Sequence, residues 1–240
     1  MQTAANRMPL LYKRVVLLTG ERHREKTIKR TGNYTFATAT NSIPLTLAEF
    51  PAAVRHYPIV FTTGESPVPI ALVGLRQDHN LFIQEDGAWR PGSYIPAYVR
   101  RYPFLLAENR DTNKLSLCVD EESEHYREGG DVQLFTDEGP SPEVKAALEF
   151  CGEYQAQWGQ TQEFGKAILA TGLFEPKQIT ISKDGASKSL AGFQAINEAK
   201  LAEISDEQFL EWRRRGWIAL IYCHLISMGC VQSLAAIDVA

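Results

Sequence analysis

The chain has 240 residues, 44% of them hydrophobic and 22% charged, with a net charge of −4. That is the composition of an ordinary soluble globular protein long enough to bury a full core, and it gives a nucleic-acid partner no electrostatic support. The four cysteines, Cys118, Cys151, Cys223 and Cys230, have neither zinc-knuckle nor CxxC spacing, which excludes a sequence-local metal or redox motif and fits a reducing compartment.

Residues 1–9 read as a flexible N-terminus and 10–240 as a single α+β domain, β-rich over 10–140 and mainly helical over 141–240. Lys13 and Arg14 interrupt the apolar run from Pro9 to Gly20, so no secretory signal is read and a cytoplasmic location is expected. Strands are predicted over Leu10–Leu18 and Tyr34–Thr40. Thr46-Leu-Ala-Glu49 is a capping box opening a short helix to about Arg55, with Pro51 limiting its regularity. Pro58–Thr63, Pro69–Leu75 and Asn80–Gln84 follow at spacings that suit an antiparallel β-meander. Pro103–Glu108 and Lys114–Asp120 make two further strands around a turn at 109–113.

Ser141-Pro142-Glu143 is a helix start, with a broken apolar stripe from Val144 to Leu169 that Gly152, Gly159 and Gly165 threaten to split in two. Gly172 is the terminator. A hairpin is predicted near 178–196, turning at Asp184-Gly185. Ser205-Asp-Glu-Gln208 opens a helix that Gly216 ends. Residues 217–237 are apolar and about long enough to span a bilayer behind Arg213-Arg214-Arg215. His224, Gln232, Ser233 and two glycines weigh against a membrane span, so a core or subunit-interface helix is expected.

Charge is clustered. Residues 13–30 hold seven Lys and Arg against Glu21 and Glu25, and residues 120–131 hold six acids against Arg127. These are either two solvated surfaces or a basic patch for an anionic ligand and an acidic loop facing a partner.

The common catalytic signatures do not occur: no Walker A loop, GxGxxG, GxSxG or HExxH is present, and the five histidines stand apart at 23, 56, 79, 125 and 224. No cofactor or metal set is assigned. His224, on the apolar helix, is either a hydrogen-bonded core histidine or a proton-handling group in a pocket. Glu198 and Lys200 are either a structural ion pair or a ligand-orienting pair. The densest segment is Tyr94-Ile-Pro-Ala-Tyr-Val-Arg-Arg-Tyr-Pro-Phe104. In an extended chain Arg100 and Arg101 point to opposite faces, one buried and one free. A guanidinium clamps a carboxylate in bidentate fashion, and Tyr94, Tyr98 and Tyr102 offer aromatic walls and phenol donors. The segment is therefore either a site for a peptide carboxylate or aromatic substrate, or a rigid structural corner.

Tyr57-Pro-Ile-Val-Phe61, Asn80-Leu-Phe82 with Gly87-x-Trp89, the Tyr94–Phe104 run, Leu117-Cys-Val-Asp120, Gly192-Phe193 with Glu198-x-Lys200-Leu201, and Ile221-Tyr-Cys-His-Leu-Ile-Ser227 follow one another along the chain. On these motifs, over about Leu11 to Leu234, the chain resembles the SapC family of bacterial proteins. The resemblance implies an association with a surface layer by name. Members of similar type accompany TonB-dependent receptors, flavin-dependent tryptophan halogenases and cupin-like or prolyl-hydroxylase-like oxygenases. The expected function is an accessory protein that handles a peptide or protein substrate, with a modifying enzyme as partner and self-association as a further expectation. The alternatives are an enzyme whose site assembles from Tyr98, Arg100, Glu198 and His224, and a surface-layer or export component.

Overall fold

The computed structural model describes residues 8–29, 31–109, 114–127, 129–183 and 186–239. In chain order they form β1 (Val15–Leu17), α1 (Gly20–His23), β2 (Thr27–Ile28), β3 (Ser42–Pro44), α2 (Phe50–Ala53), β4 (Ile59–Thr62), β5 (Pro69–Leu72), α3 (Ala97–Arg100), β6 (Phe104–Asn109) and β7 (Lys114–Asp120). Four two-residue strands follow: β8 (Tyr126–Arg127), β9 (Val132–Gln133), β10 (Phe135–Thr136) and β11 (Gly139–Pro140). Then come α4 (Pro142–Ala170), the hairpin β12 (Phe174–Lys183) and β13 (Ala186–Ile196), α5 (Glu198–Leu201), α6 (Asp206–Arg214), α7 (Trp217–Ser227) and α8 (Cys230–Val239). The class is α+β, with antiparallel sheets and with the long helices after residue 141.

The largest sheet has the order β12-β13-β4-β5-β3. Ile59, Val60 and Phe61 of β4 are all fully buried, as befits a strand covered on both faces. Where β13 leaves β4, side chains of α7 replace the missing ladder. Phe193 pairs with Thr62 and Gln194 with Phe61, so the same register would set Ile196 opposite Ile59. Instead His224 lies between them: its Nε2 accepts from Ile196 N at 3.0 Å and its Nδ1 donates to Ile59 O at 2.6 Å. The Ile59 N–H goes to Ser227 Oγ at 2.9 Å. Buried backbone groups need partners, and two α7 residues supply them. The two bonds require the neutral Nδ1–H tautomer, and burial lowers the His224 pKa to about 4.

A second sheet, β1-β7-β6, buries Phe104, Leu117 and Val119 in its own cluster. Helix α4 joins the two cores. At 29 residues it is about 43 Å long, and it buries Val144 and Cys151 in the smaller cluster and Tyr154, Phe164 and Ile168 in the main one. The split that its three glycines threatened does not occur. Val144, Cys151, Tyr154, Thr161, Gly165 and Ile168 form one buried stripe, while Gly152 and Gly159 lie off it in open space, where a glycine costs only about 1 kcal/mol. Gly165 is needed for another reason: a Cβ there would fall 1.9 Å from the Pro67 carbonyl oxygen. Ser141 caps the helix through the Val144 N–H, and Gly172 ends it with φ +70°.

Three expected strands differ. Over 34–40 the chain makes a 3₁₀ turn at Thr35–Ala37, because Asn33 Oδ1 accepts from both N and Oγ1 of Thr35, a local bond that competes with strand pairing. Asn80–Gln84 is not a strand, because the edge beside β5 is already taken by β3. Asn80 instead bonds Ala37 O and Phe82 N. The Leu10–Leu18 strand shortens to β1, because the buried Asp120 carboxylate accepts from Lys13 N and Arg14 N in place of a strand partner. The capping box at Thr46–Glu49 forms and opens a 3₁₀ turn (Leu47–Glu49) that runs into α2. Residues 1–7 and the turns at 110–113 and 184–185 lie outside the described residues.

The two charged stretches meet each other. Arg22 binds Glu121 in bidentate fashion at 2.6 and 2.7 Å, with Arg14 and His23 at 3.6 and 3.3 Å from the same carboxylate. Hydrogen bonding to Arg22 holds the Glu121 pKa below the ordinary range.

Two stability measurements check this account. Gly165→Ala should destabilise by about 2 kcal/mol or more through overpacking, whereas Gly159→Ala should stabilise by up to about 1 kcal/mol, both read from denaturant midpoints. For His224, whose pKa falls from 6.5 to about 4 on folding, the unfolded state binds the extra proton. Its contribution is complete above pH 6.5 and is lost as pH falls toward 4, by about 3 kcal/mol in all. His224→Gln should flatten the unfolding free energy across that window.

Candidate functional site

The Tyr94–Phe104 segment is held from below by Glu49. This carboxylate is buried and uses both oxygens: Oε2 accepts from Thr46 N and Oγ1, and Oε1 accepts from Tyr94 Oη at 3.1 Å and from Ala97 N at 2.6 Å. Pro96 stands at the N-cap of α3 and has no capping side chain, so Glu49 takes the first free N–H of that helix. Tyr57 donates to the Tyr94 carbonyl and accepts from Trp89 Nε1. At the far end Tyr102 donates to Asp120 Oδ2 at 3.4 Å and stacks on Phe36 at 3.9 Å. Burial pushes its phenol up to about 12. The Tyr102–Pro103 bond is cis.

Because residues 97–100 make a helical turn, Arg100 and Arg101 are not on opposite faces of an extended chain; in a helix they are separated by about 100°. They still part company. Arg100 is exposed, donates to Ile95 O and to Tyr94 Oη, and lies over the Phe150 ring at 5.2 Å. Arg101 turns inward between three rings, 4.1 Å from Tyr98, 4.4 Å from Tyr154 and 5.6 Å from Tyr12. The Tyr12 and Tyr98 hydroxyls donate to Phe104 O and Leu10 O, which leaves their lone pairs toward the cation. Burial raises the pKa of all three phenols. Arg101 has no carboxylate partner among the described residues, and its buried Nε has no hydrogen-bond partner.

Both arginines border a cleft of about 500 Å³ walled by Tyr34, Phe36, Tyr102, Phe104 and Phe150, with Lys29, His125, Glu143 and Cys151 also on its lining. His125 Nε2 faces the Asn33 carbonyl at 3.2 Å. Burial pushes the Cys151 thiol up to about 11, so it stays protonated at neutral pH. The arrangement offers anchored positive charge at the base of an aromatic trough.

Of the residues singled out from the sequence, Tyr94, Tyr98, Arg100, Arg101 and Tyr102 come together here. Glu198 and Lys200 lie on α5, exposed, where Lys200 Nζ donates to Gly172 O at 3.0 Å beside a different cavity. His224 is sealed, with both ring nitrogens on backbone. The constellation of Tyr98, Arg100, Glu198 and His224 therefore does not assemble. Sequence reasoning missed Phe150 and Tyr154, contributed by α4, along with Tyr12 and the anchor Glu49. The capping box did flag Glu49, but only for its local role.

The chain matches no curated protein and no solved structure. It does match the SapC family over residues 18–234, nearly its whole length. The protein belongs to the SapC family.

Proposed function

We propose that the protein is a cytoplasmic accessory module that binds a peptide or protein substrate, presenting it to a modifying enzyme, and that the cleft beside Tyr94–Phe104 is the binding surface. The carrying observation is Arg101: a guanidinium held against three tyrosine rings, without a carboxylate partner among the described residues, bordering an aromatic cleft. Cations stack on aromatic faces, but an anion is the stronger partner for an inward guanidinium. About 500 Å³ falls within the usual range for ligand sites. The fitting ligand is a carboxylate carried next to an aromatic or aliphatic side chain, as at a peptide C-terminus. Arg100, exposed and steadied by Phe150, supplies the second cation at the rim. The accessory role rests on the company with modifying enzymes that the family resemblance implies.

Calorimetric titration with short peptides ending in an aromatic or aliphatic residue, as free acids and as amides, tests this reading. The acids should bind and the amides should bind at least about tenfold more weakly, the value of one charge-assisted hydrogen bond. Arg100→Ala should weaken acid binding without altering the melting temperature, and Arg101→Lys should weaken it further. Equal affinity for acids and amides, or unchanged affinity in both variants, would remove the site.

A further inference from the structure

The basic stretch over 13–30 is only partly neutralised by acids. Arg14 and Arg22 pair with Glu121, and Arg24 with Asp137. Lys29, just past β2, does not follow them. Its backbone N–H donates to His125 O, and its ammonium has no carboxylate partner among the described residues. It is exposed and lines the aromatic cleft. Arg100 and Arg101 line the same cleft from α3. Arg100 donates to two uncharged oxygens, Ile95 O and Tyr94 Oη, and Arg101 lies among tyrosine rings. Against these cations the lining has one acid, Glu143, which already has an interaction of its own. The cleft is therefore positive on a chain whose net charge is −4. A ligand with a single carboxylate would leave that lining with an excess of positive charge.

We propose that the ligand of this cleft is an acidic peptide end. Its C-terminal carboxylate meets the arginines, and an Asp or Glu side chain one or two residues earlier meets Lys29. The proposal rests on the reading of the cleft as a peptide-carboxylate site and adds a sequence preference to it. The residue types suit the two tasks. A guanidinium is a planar fork that matches one carboxylate in a fixed orientation, whereas an ammonium is a compact charge on a flexible four-carbon stem. The stem lets Lys29 follow a side-chain carboxylate whose place shifts with the bend of the peptide. The charge also acts before contact, because a cleft lined by one sign concentrates ligands of the other. Acidic peptides should therefore gain most at low salt, where exposed charges are least screened.

Calorimetric titration of the full chain with N-acetylated tripeptides ending in Phe tests the preference. Asp is compared with its uncharged isostere Asn at the second-last and at the third-last position, each peptide as free acid and as amide. At one of the two positions the Asp acid should bind about threefold tighter than the Asn acid, the size of an exposed ion pair. The gap should close in Lys29→Gln and reverse in Lys29→Glu. Lys29→Gln should leave the Asn acid and the melting temperature little changed, because the side chain is exposed. Equal affinity for Asp and Asn acids at both positions, or a preference for Asp that survives in Lys29→Glu, would overturn the proposal. If acids still bind better than amides in that case, the peptide-carboxylate reading stands and this inference falls alone. If acids and amides bind alike, or no peptide binds, both fall together.

Discussion

The carboxylate of Glu49 is the constraint on which the geometry around the candidate cleft depends. A buried carboxylate without donors costs several kcal/mol, so its surroundings have to deliver hydrogen bonds to both oxygens. They come from Thr46, Tyr94 and Ala97, three points on two separate stretches of chain. Satisfying one charge therefore fixes the start of α3, and with it the places of Arg100 and Arg101. The same turn is tied to the long helix, because Thr161 Oγ1 accepts from Leu47 N and donates to Gln157 O. That helix brings Phe150 and Tyr154 to the arginines. Cleft floor and cleft wall thus share one polar anchor.

Asp120 and His224 follow the same logic elsewhere. Strands β1 and β4 are short, and their ladders end before the neighbouring backbone groups are all paired. Asp120 collects the N–H groups of Lys13, Arg14 and Glu122 where β1 begins, and His224 with Ser227 closes the gap between β4 and β13. Each is a side chain standing in for a strand. These residues are buried and polar because they complete the sheets, and His224 is an element of architecture in a position where sequence alone also permits chemistry.

What was legible in the sequence was what is local. The capping box at Thr46–Glu49, the Ser141-Pro142 helix start, the glycine stops at 172 and 216, and the paired strands of β6 and β7 are written within a few residues, and all of them form. The split between an inward, half-buried arginine and an exposed one was also legible, although it rests on a helical turn where an extended chain was expected. The rest is long-range. Nothing near Glu49 announces that its second oxygen serves Ala97, 48 residues on. The apolar stripe read on α4 did not include Tyr154, and no local pattern tells which cation that ring meets. Asn80–Gln84 has strand composition, yet whether it pairs depends on β3 occupying the only edge next to β5, a competition that no local pattern encodes.

Gly165 carries a consequence for recognition. With the backbone of α4 pressed against the Pro67 carbonyl at one end and Val144 and Cys151 packed under the second sheet at the other, the helix is a strut clamped between two cores. Phe150 rides on that strut. On the Phe150 side the cleft cannot widen by bending a loop; that wall would have to shift a rod of about 43 Å against two packed interiors. On the proposed reading, any accommodation of a ligand falls to the opposite wall, the turn that carries Tyr34 and Phe36.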